Sequence, residues 1–172
     1  SSLNGRANNS SYLYNVPIAL DWRSMPNRHQ TLRNLDIAQG LQLTVDSLAS
    51  EITLTEEEKG WASALIRSRF GYSRPLVAMH PGAGKVPNRW APQNFARVAD
   101  ELSVLESAQF IVTAGPMDDE PVAILKQNMR QRFYLLDNKA IRFVAATLSM
   151  ADLVLTNDTG VMHVAGAVGV PV

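Results

Sequence analysis

Four short apolar runs, each followed by a turn and then an amphipathic stretch, constrain this chain more than any other feature. They occupy residues 76–79 (LVAM), 110–113 (FIVT), 133–136 (FYLL) and 153–156 (LVLT). Between them, Pro92 opens a helix whose apolar face is Phe95, Val98, Ala99 and Leu102. Asp118, Asp119 and Glu120 start a second helix, where negative charge suits the positive end of the macrodipole. Residues 141–150 read as a third helix and 160–168 as a fourth, rich in small residues. Strands apolar on both faces and separated by helices demand a parallel sheet with crossovers. The expectation is an α/β domain, a Rossmann-like doubly wound parallel sheet. Ligands in such domains meet the carboxyl ends of the strands, so the loops at 81–92, 115–120, 137–140 and 157–160 are the candidates.

Upstream, residues 1–27 have weak periodicity and read as a connector, with one extended piece near 12–20. Leu32, Leu35 and Ala38 recur on one face of a helix stopped by Gly40. Thr55-Glu56-Glu57-Glu58 is a capping-box signature, followed by Trp61, Leu65, Ile66 and Phe70 at helical spacing and by Gly71. At the other end, Gly169-Val170-Pro171-Val172 reads as a turn entering a fifth strand. The domain over 28–172 is therefore expected to be incomplete at its C-terminus, as an excised or truncated piece of a longer protein.

Sixteen basic residues balance sixteen acidic ones, so the chain carries no electrostatic footprint for nucleic acid and no polybasic lipid anchor. No apolar run approaches the roughly 18–20 residues that span a bilayer, and the polar start is not a signal peptide. With 46% hydrophobic residues there is apolar mass for a core, and zero cysteines fit a reducing compartment. A cytoplasmic location is expected, with attachment of the parent protein to the inner face of the membrane at most peripheral.

Two loops could carry chemistry. The first, residues 80–90, reads HPGAGKVPNRW: small residues directly after a strand let amides approach an anion, and Lys85 and Arg89 add positive charge. It is neither a Walker A loop, since Met79 stands at the first glycine position and Val86 follows the lysine, nor a dinucleotide fingerprint, which needs a third glycine. The second, residues 157–163, reads NDTGVMH, with Gly160 to His163 as the first turn of a helix. Unbonded amides there, the Thr159 hydroxyl and a protonated His163 suit phosphate oxygens. The structural alternative makes Asp158 and Thr159 helix caps, His163 a packed core histidine, and the glycines plain turns.

Asp158-Thr159-Gly160 also matches the aspartic-protease triplet, but that chemistry needs an all-β fold and a second carboxylate copy. His29, His80 and His163 lack metal-ligand spacing, so no metal site and no resident cofactor are expected. Asp118-Asp119-Glu120 reads as a solvated helix start, and Trp90 as an anchor for its loop.

Five segments in register carry a resemblance: His80-Pro81-Gly82-Ala83; Arg89-Trp90-x-Pro92; Thr113-Ala114-Gly115 followed by Asp119-Glu120; Ala151-Asp152-Leu153; and Asn157-Asp158-Thr159-Gly160-x-Met162-His163-x-Ala165. Together they resemble glycosyltransferase family 9, the ADP-heptose:lipopolysaccharide heptosyltransferases and their relatives. The resemblance covers residues 28–172 and implies the C-terminal, nucleotide-sugar-binding half of a GT-B enzyme. Inverting transfer, of heptose above other sugars, would run from a nucleoside-diphosphate sugar, ADP-heptose, to a lipid-linked saccharide acceptor held by the missing half. That half would also supply the catalytic base, so no catalytic residue is expected in this chain, and the transfer would need no metal.

The resemblance further implies that Gly82, Ala83 and Gly84 border the diphosphate through their amides, with either Lys85 or Arg89 as the pairing cation. Asn88 stands where many relatives carry lysine. Glu120, or Asp119, would face ribose or sugar hydroxyls, and the loop carrying Lys139 would flank the base. Asp158, Thr159, Gly160, Val161 and His163 would line the phosphates and the sugar. Two other readings keep the fold: a nucleotide-binding module without catalysis, and a structural α/β interaction domain.

Overall fold

The computed structural model describes residues 15, 18, 20–71 and 75–172. The extended piece expected near 12–20 lies largely outside the described residues. Two compact units divide the chain, Ser1–Ala49 and Ser50–Val172.

In the first unit a 3-10 turn, Trp22–Ser24, precedes helix α1, Gln30–Gly40. His29 caps α1 by accepting from the Thr31 amide through Nδ1, and Gly40 ends it as expected. Buried Trp22 donates its indole N–H to Asp36 Oδ2 (3.1 Å), and Arg28 forks onto the same carboxylate. That pairing pulls the Asp36 pKa down, chiefly through the guanidinium hydrogen bond.

The second unit contains α2 (Glu56–Phe70), β1 (Leu76–His80), α3 (Pro92–Glu106), β2 (Gln109–Ala114), α4 (Asp119–Asn128), β3 (Phe133–Asp137), α5 (Ile141–Leu148), β4 (Leu153–Thr156) and α6 (Gly160–Ala167). Thr55 and Glu58 form the capping box at the start of α2, and Gly71 closes it at φ 65°, a conformation that glycine adopts without a Cβ penalty. Helix α5 stops at Leu148, two residues before the expected end, and α6 at Ala167.

All strand pairings are parallel, in the order β3-β2-β1-β4. Every residue of β1 is buried, because strands flank it and helices cover both faces. Alternate side chains divide the core. Val77, Met79, Phe110 and Val112 meet Phe95, Ala96 and Ala99 of α3 and Val122 and Leu125 of α4. Leu76, Ala78, Ile111, Leu136 and Val154 meet Ile66 of α2, Val144 and Leu148 of α5 and Ala165 of α6. The edge strand β3 departs from the expected two-sided burial, with Leu135 exposed and Phe133 and Tyr134 half-buried. Beside β4, the Val154 amide donates to the Pro171 carbonyl (2.9 Å), but residues 170–172 form no strand where a fifth was expected to begin.

From β1 the chain builds β2 and β3 to one side, with α3 and α4 on one face. It then returns through α5 on the other face to place β4 on the opposite side of β1. The order therefore reverses between β1 and β4, and their carboxyl ends open onto loops that leave for opposite faces. That is the topological switch point of a doubly wound sheet, the crevice where such domains take ligands.

Candidate functional site

The two loops at this switch point are joined by one side chain. Asn157, 5% exposed at the end of β4, donates through Nδ2 to the Pro81 carbonyl (2.9 Å) and the Gly82 carbonyl (3.1 Å). Its Oδ1 accepts from the Trp90 amide (2.8 Å). A buried polar group left without a partner costs about 1–3 kcal/mol, so satisfying three backbone groups at once holds this loop firmly. A second link lies nearer the surface, where Asn88 Nδ2 donates to Asp158 Oδ2 (2.9 Å). Asn88 thus ties the first loop to the second.

Arg89 is half-buried and donates Nε–H to the Ala83 carbonyl (2.8 Å). Three successive carbonyls, Pro81 to Ala83, are therefore held by side chains. In a trans peptide the N–H of the next residue points opposite to the carbonyl. The amides of Gly82 and Ala83 consequently face away from Asn157, that of Gly84 faces away from Arg89 Nε, and no hydrogen bond among the described residues engages the three. Lys85 and Gly84 are exposed.

Gly82 is required for a second reason. A Cβ built there would stand 1.9 Å from Asp118 Oδ1. Asp118 is not part of a solvated helix start, as the sequence suggested; it is buried, and Oδ2 accepts from the Gly115 amide (2.8 Å). His80 completes this cluster beneath the loop. Its Nδ1 lies 3.0 Å from both the carbonyl and the hydroxyl of Thr113, and its Nε2 lies 3.7 Å from Asp118 Oδ2. The carbonyl can only accept, which assigns a proton to Nδ1. Asp119 and Glu120 are exposed at the start of α4.

At the other loop, Thr159 caps α6: Oγ1 accepts from the Val161 amide (3.2 Å). The capping alternative holds for Thr159, and the Val161 amide is engaged by it. The hydroxyl proton of Thr159 remains available, since capping uses a lone pair. The Gly160 amide has no partner among the described residues, as befits the first turn of a helix. His163 is exposed, which removes the alternative of a packed core histidine: on α6 only Ala165 is buried, and the histidine occupies a different face. Trp90 rests edge-on against Phe95 (centroids 5.1 Å apart), so it anchors the loop to α3 while 43% exposed.

Lys139 is not brought to this convergence. It is exposed in the loop after β3, three strand positions from β4, or about 14 Å at the usual strand spacing. Glu120, after β2, lies two positions from β4. The site is thus a row along the carboxyl edge, with Asp158–His163 and Gly82–Arg89 together at one end and Lys139 at the other.

In the sequence Asn157 and His80 stand out only as parts of motifs and Asn88 only as a replacement for lysine, and none of the three has a role assigned there. Their partners lie up to 76 residues away in the chain. The available signal was the type of residue: an asparagine closing a buried strand has polar atoms that must be matched. Among the described residues no group of three or more His, Asp or Glu gathers as a metal site would, and no helix is long and apolar enough to cross a membrane.

Comparisons with known proteins follow the same lines. The model for glycosyltransferase family 9 (heptosyltransferase) matches residues 4–172. Lipooligosaccharide heptosyltransferase 2 of Haemophilus influenzae is 29% identical over 136 residues, covering 75% of this chain and 37% of that protein. The solved family 9 glycosyl transferase of Veillonella parvula aligns with a TM-score of 0.76 at 25% identity, covering 90% of this chain and 44% of that one. E. coli heptosyltransferase WaaC, solved with ADP-2-deoxy-2-fluoro heptose, shares the fold (TM-score 0.56, 19% identity, 94% and 48% covered). The chain spans less than half the length of each of these relatives. With the family model matched along nearly its whole length, the chain belongs to glycosyltransferase family 9.

Proposed function

We propose that this chain is the donor-binding part of an inverting glycosyltransferase that moves a sugar, heptose, from ADP-heptose to a lipopolysaccharide-type saccharide acceptor. One observation carries the reading: two loops at the switch point are bonded together and leave the amides of Gly82, Ala83, Gly84 and Gly160 without partners among the described residues. Such amides, with a helix N-terminus behind one loop, suit a diphosphate. The heptosyltransferase crystallised with an ADP-sugar analogue has the same fold, which supports the choice of donor.

In this reading the acceptor hydroxyl, deprotonated by a carboxylate of the other half, attacks the anomeric carbon as the bond to the β-phosphate oxygen breaks. Negative charge grows on the departing diphosphate, where the fixed amides, the Thr159 hydroxyl and the Arg89 guanidinium stabilise it without a metal. Removing one such donor from a transition state costs about 3–4 kcal/mol. Arg89 is the better pairing cation, because its bond to Ala83 already holds it at the loop. Asp158 serves sugar hydroxyls rather than phosphate: two unit charges of like sign 4 Å apart near a surface repel by about 4 kcal/mol. Glu120 takes ribose hydroxyls, and the loop bearing Lys139 flanks the base at the far end of the row. His163 faces the phosphates from the exposed side of α6.

Calorimetry with ADP, GDP and UDP tests this reading. ADP is expected to bind, with the same affinity in EDTA, and the chain alone is expected not to turn over ADP-heptose. No binding of any diphosphate by the folded chain contradicts donor binding, and turnover by the chain alone contradicts the placement of the base elsewhere.

A further inference from the structure

We propose that Asn157 is a positioning residue for the donor diphosphate, turning the Gly82 and Ala83 amides toward the anion by holding the carbonyls on the same two peptide planes. This rests on the donor-site reading above.

The side chain is 5% exposed, and its three bonds all end on backbone groups of the neighbouring loop. Their pattern leaves no freedom in how the amide is oriented. Two carbonyls, which only accept, lie on one side, and the Trp90 N–H, which only donates, lies on the other. Nδ2 must face the former and Oδ1 the latter. The Pro81 and Gly82 carbonyls are thereby drawn to β4, and the N–H groups of Gly82 and Ala83, on the opposite edges of those planes, face away from it. The third bond, to Trp90, holds the far end of the loop, so residues 81–90 are gripped at both ends by one side chain at the root of the second loop.

This makes Asn157 more than a staple. A residue that merely closed the loop would matter equally to every part of the ligand. A residue that aims two amides matters where the charge is, at the diphosphate, and little at the nucleoside. Aspartate has nearly the same shape but no donor, and it would set a carboxylate against two carbonyl oxygens. The Trp90 bond would survive, while the peptide planes of 81–83 would be pushed to rotate.

The experiment compares ADP with adenosine on the full chain, by calorimetry and by NMR titration, for the wild type, Asn157→Asp and Asn157→Ser. Near-ultraviolet circular dichroism of Trp90 and its neighbours reports whether each variant is folded. The expected result is that Asn157→Asp raises the ADP dissociation constant at least about tenfold while the adenosine constant moves by less than about twofold, since only hydrogen bonds to the charged part are lost. Asn157→Ser, whose short hydroxyl does not reach the loop, removes all three bonds without adding a charge; it is also expected to weaken ADP and spare adenosine, and it carries the comparison if the aspartate variant does not fold. Equal weakening of both ligands, or unchanged ADP affinity in a folded variant, overturns the role of Asn157. Failure of the wild type to bind ADP overturns the donor-site reading itself.

Discussion

The Cα of Gly82 and the carboxylate of Asp118 are packed so closely that a β-carbon on Gly82 would lie 1.9 Å from Oδ1. The carboxylate cannot swing aside cheaply, because Asp118 is buried and bonded to the Gly115 amide. The loop after β1 is thus fitted to the loop after β2 as well as to that after β4. Gly82→Ala is expected to destabilise the chain by about 1–3 kcal/mol, as overpacking does, and to weaken ADP binding. Chemical denaturation and calorimetry measure both. Adding Asp118→Ala to Gly82→Ala is expected to recover part of the loss; equal stability of Gly82→Ala and wild type counts against the close fit.

Thr159 has two tasks, the cap on Val161 and a hydroxyl proton for phosphate. Thr159→Val removes both and Thr159→Ser neither. The valine variant is expected to lose about 1 kcal/mol of stability, the usual worth of an N-cap, and to bind ADP more weakly than the serine variant. Identical ADP affinity for the two would confine Thr159 to capping.

Lys85 and Arg89 separate on geometry, since Arg89 is held by the Ala83 carbonyl and Lys85 is exposed. Arg89→Ala is expected to weaken ADP binding about tenfold, the scale of one hydrogen bond to a charged group. Lys85→Ala is expected to cost about threefold or less, as exposed charges do. The reverse order in calorimetry would make Lys85 the pairing cation.

Much of this architecture was legible in the amino-acid order because each strand and helix carries its own local signal. The β1 run is apolar throughout, Pro92 does open α3, and Thr55 and Glu58 do form their box. Edge exposure of β3 was not legible, since Phe133 to Leu136 look the same whether one neighbour flanks the strand or two. Nor were the partners of Asn157, His80 and Asp118, which depend on which strands lie side by side. Nor was the exposure of His163, because a helix made of small residues leaves little periodic contrast.

Glu58 has a measurable pH signature. Its pKa falls from the ordinary 4.5 to about 2, first through the Arg142 guanidinium and then through the Thr55 amide. A carboxylate with a depressed native pKa stabilises the fold above its unfolded value and loses that contribution as pH falls through the native one. The difference in thermal midpoint between wild type and Glu58→Gln is therefore expected to be steady above about pH 5 and to close between 4.5 and 2. A difference that does not change with pH would mean that the Arg142 pairing contributes nothing to folding.

The most direct measurement is an amide-resolved NMR titration of the chain with ADP. The amides of Gly82, Ala83, Gly84 and Gly160 are expected to shift together along one binding curve. If saturating ADP leaves them unmoved, or moves instead the amides around the groove formed by Val122, Lys126, Met129 and Phe133, the two loops do not hold the diphosphate.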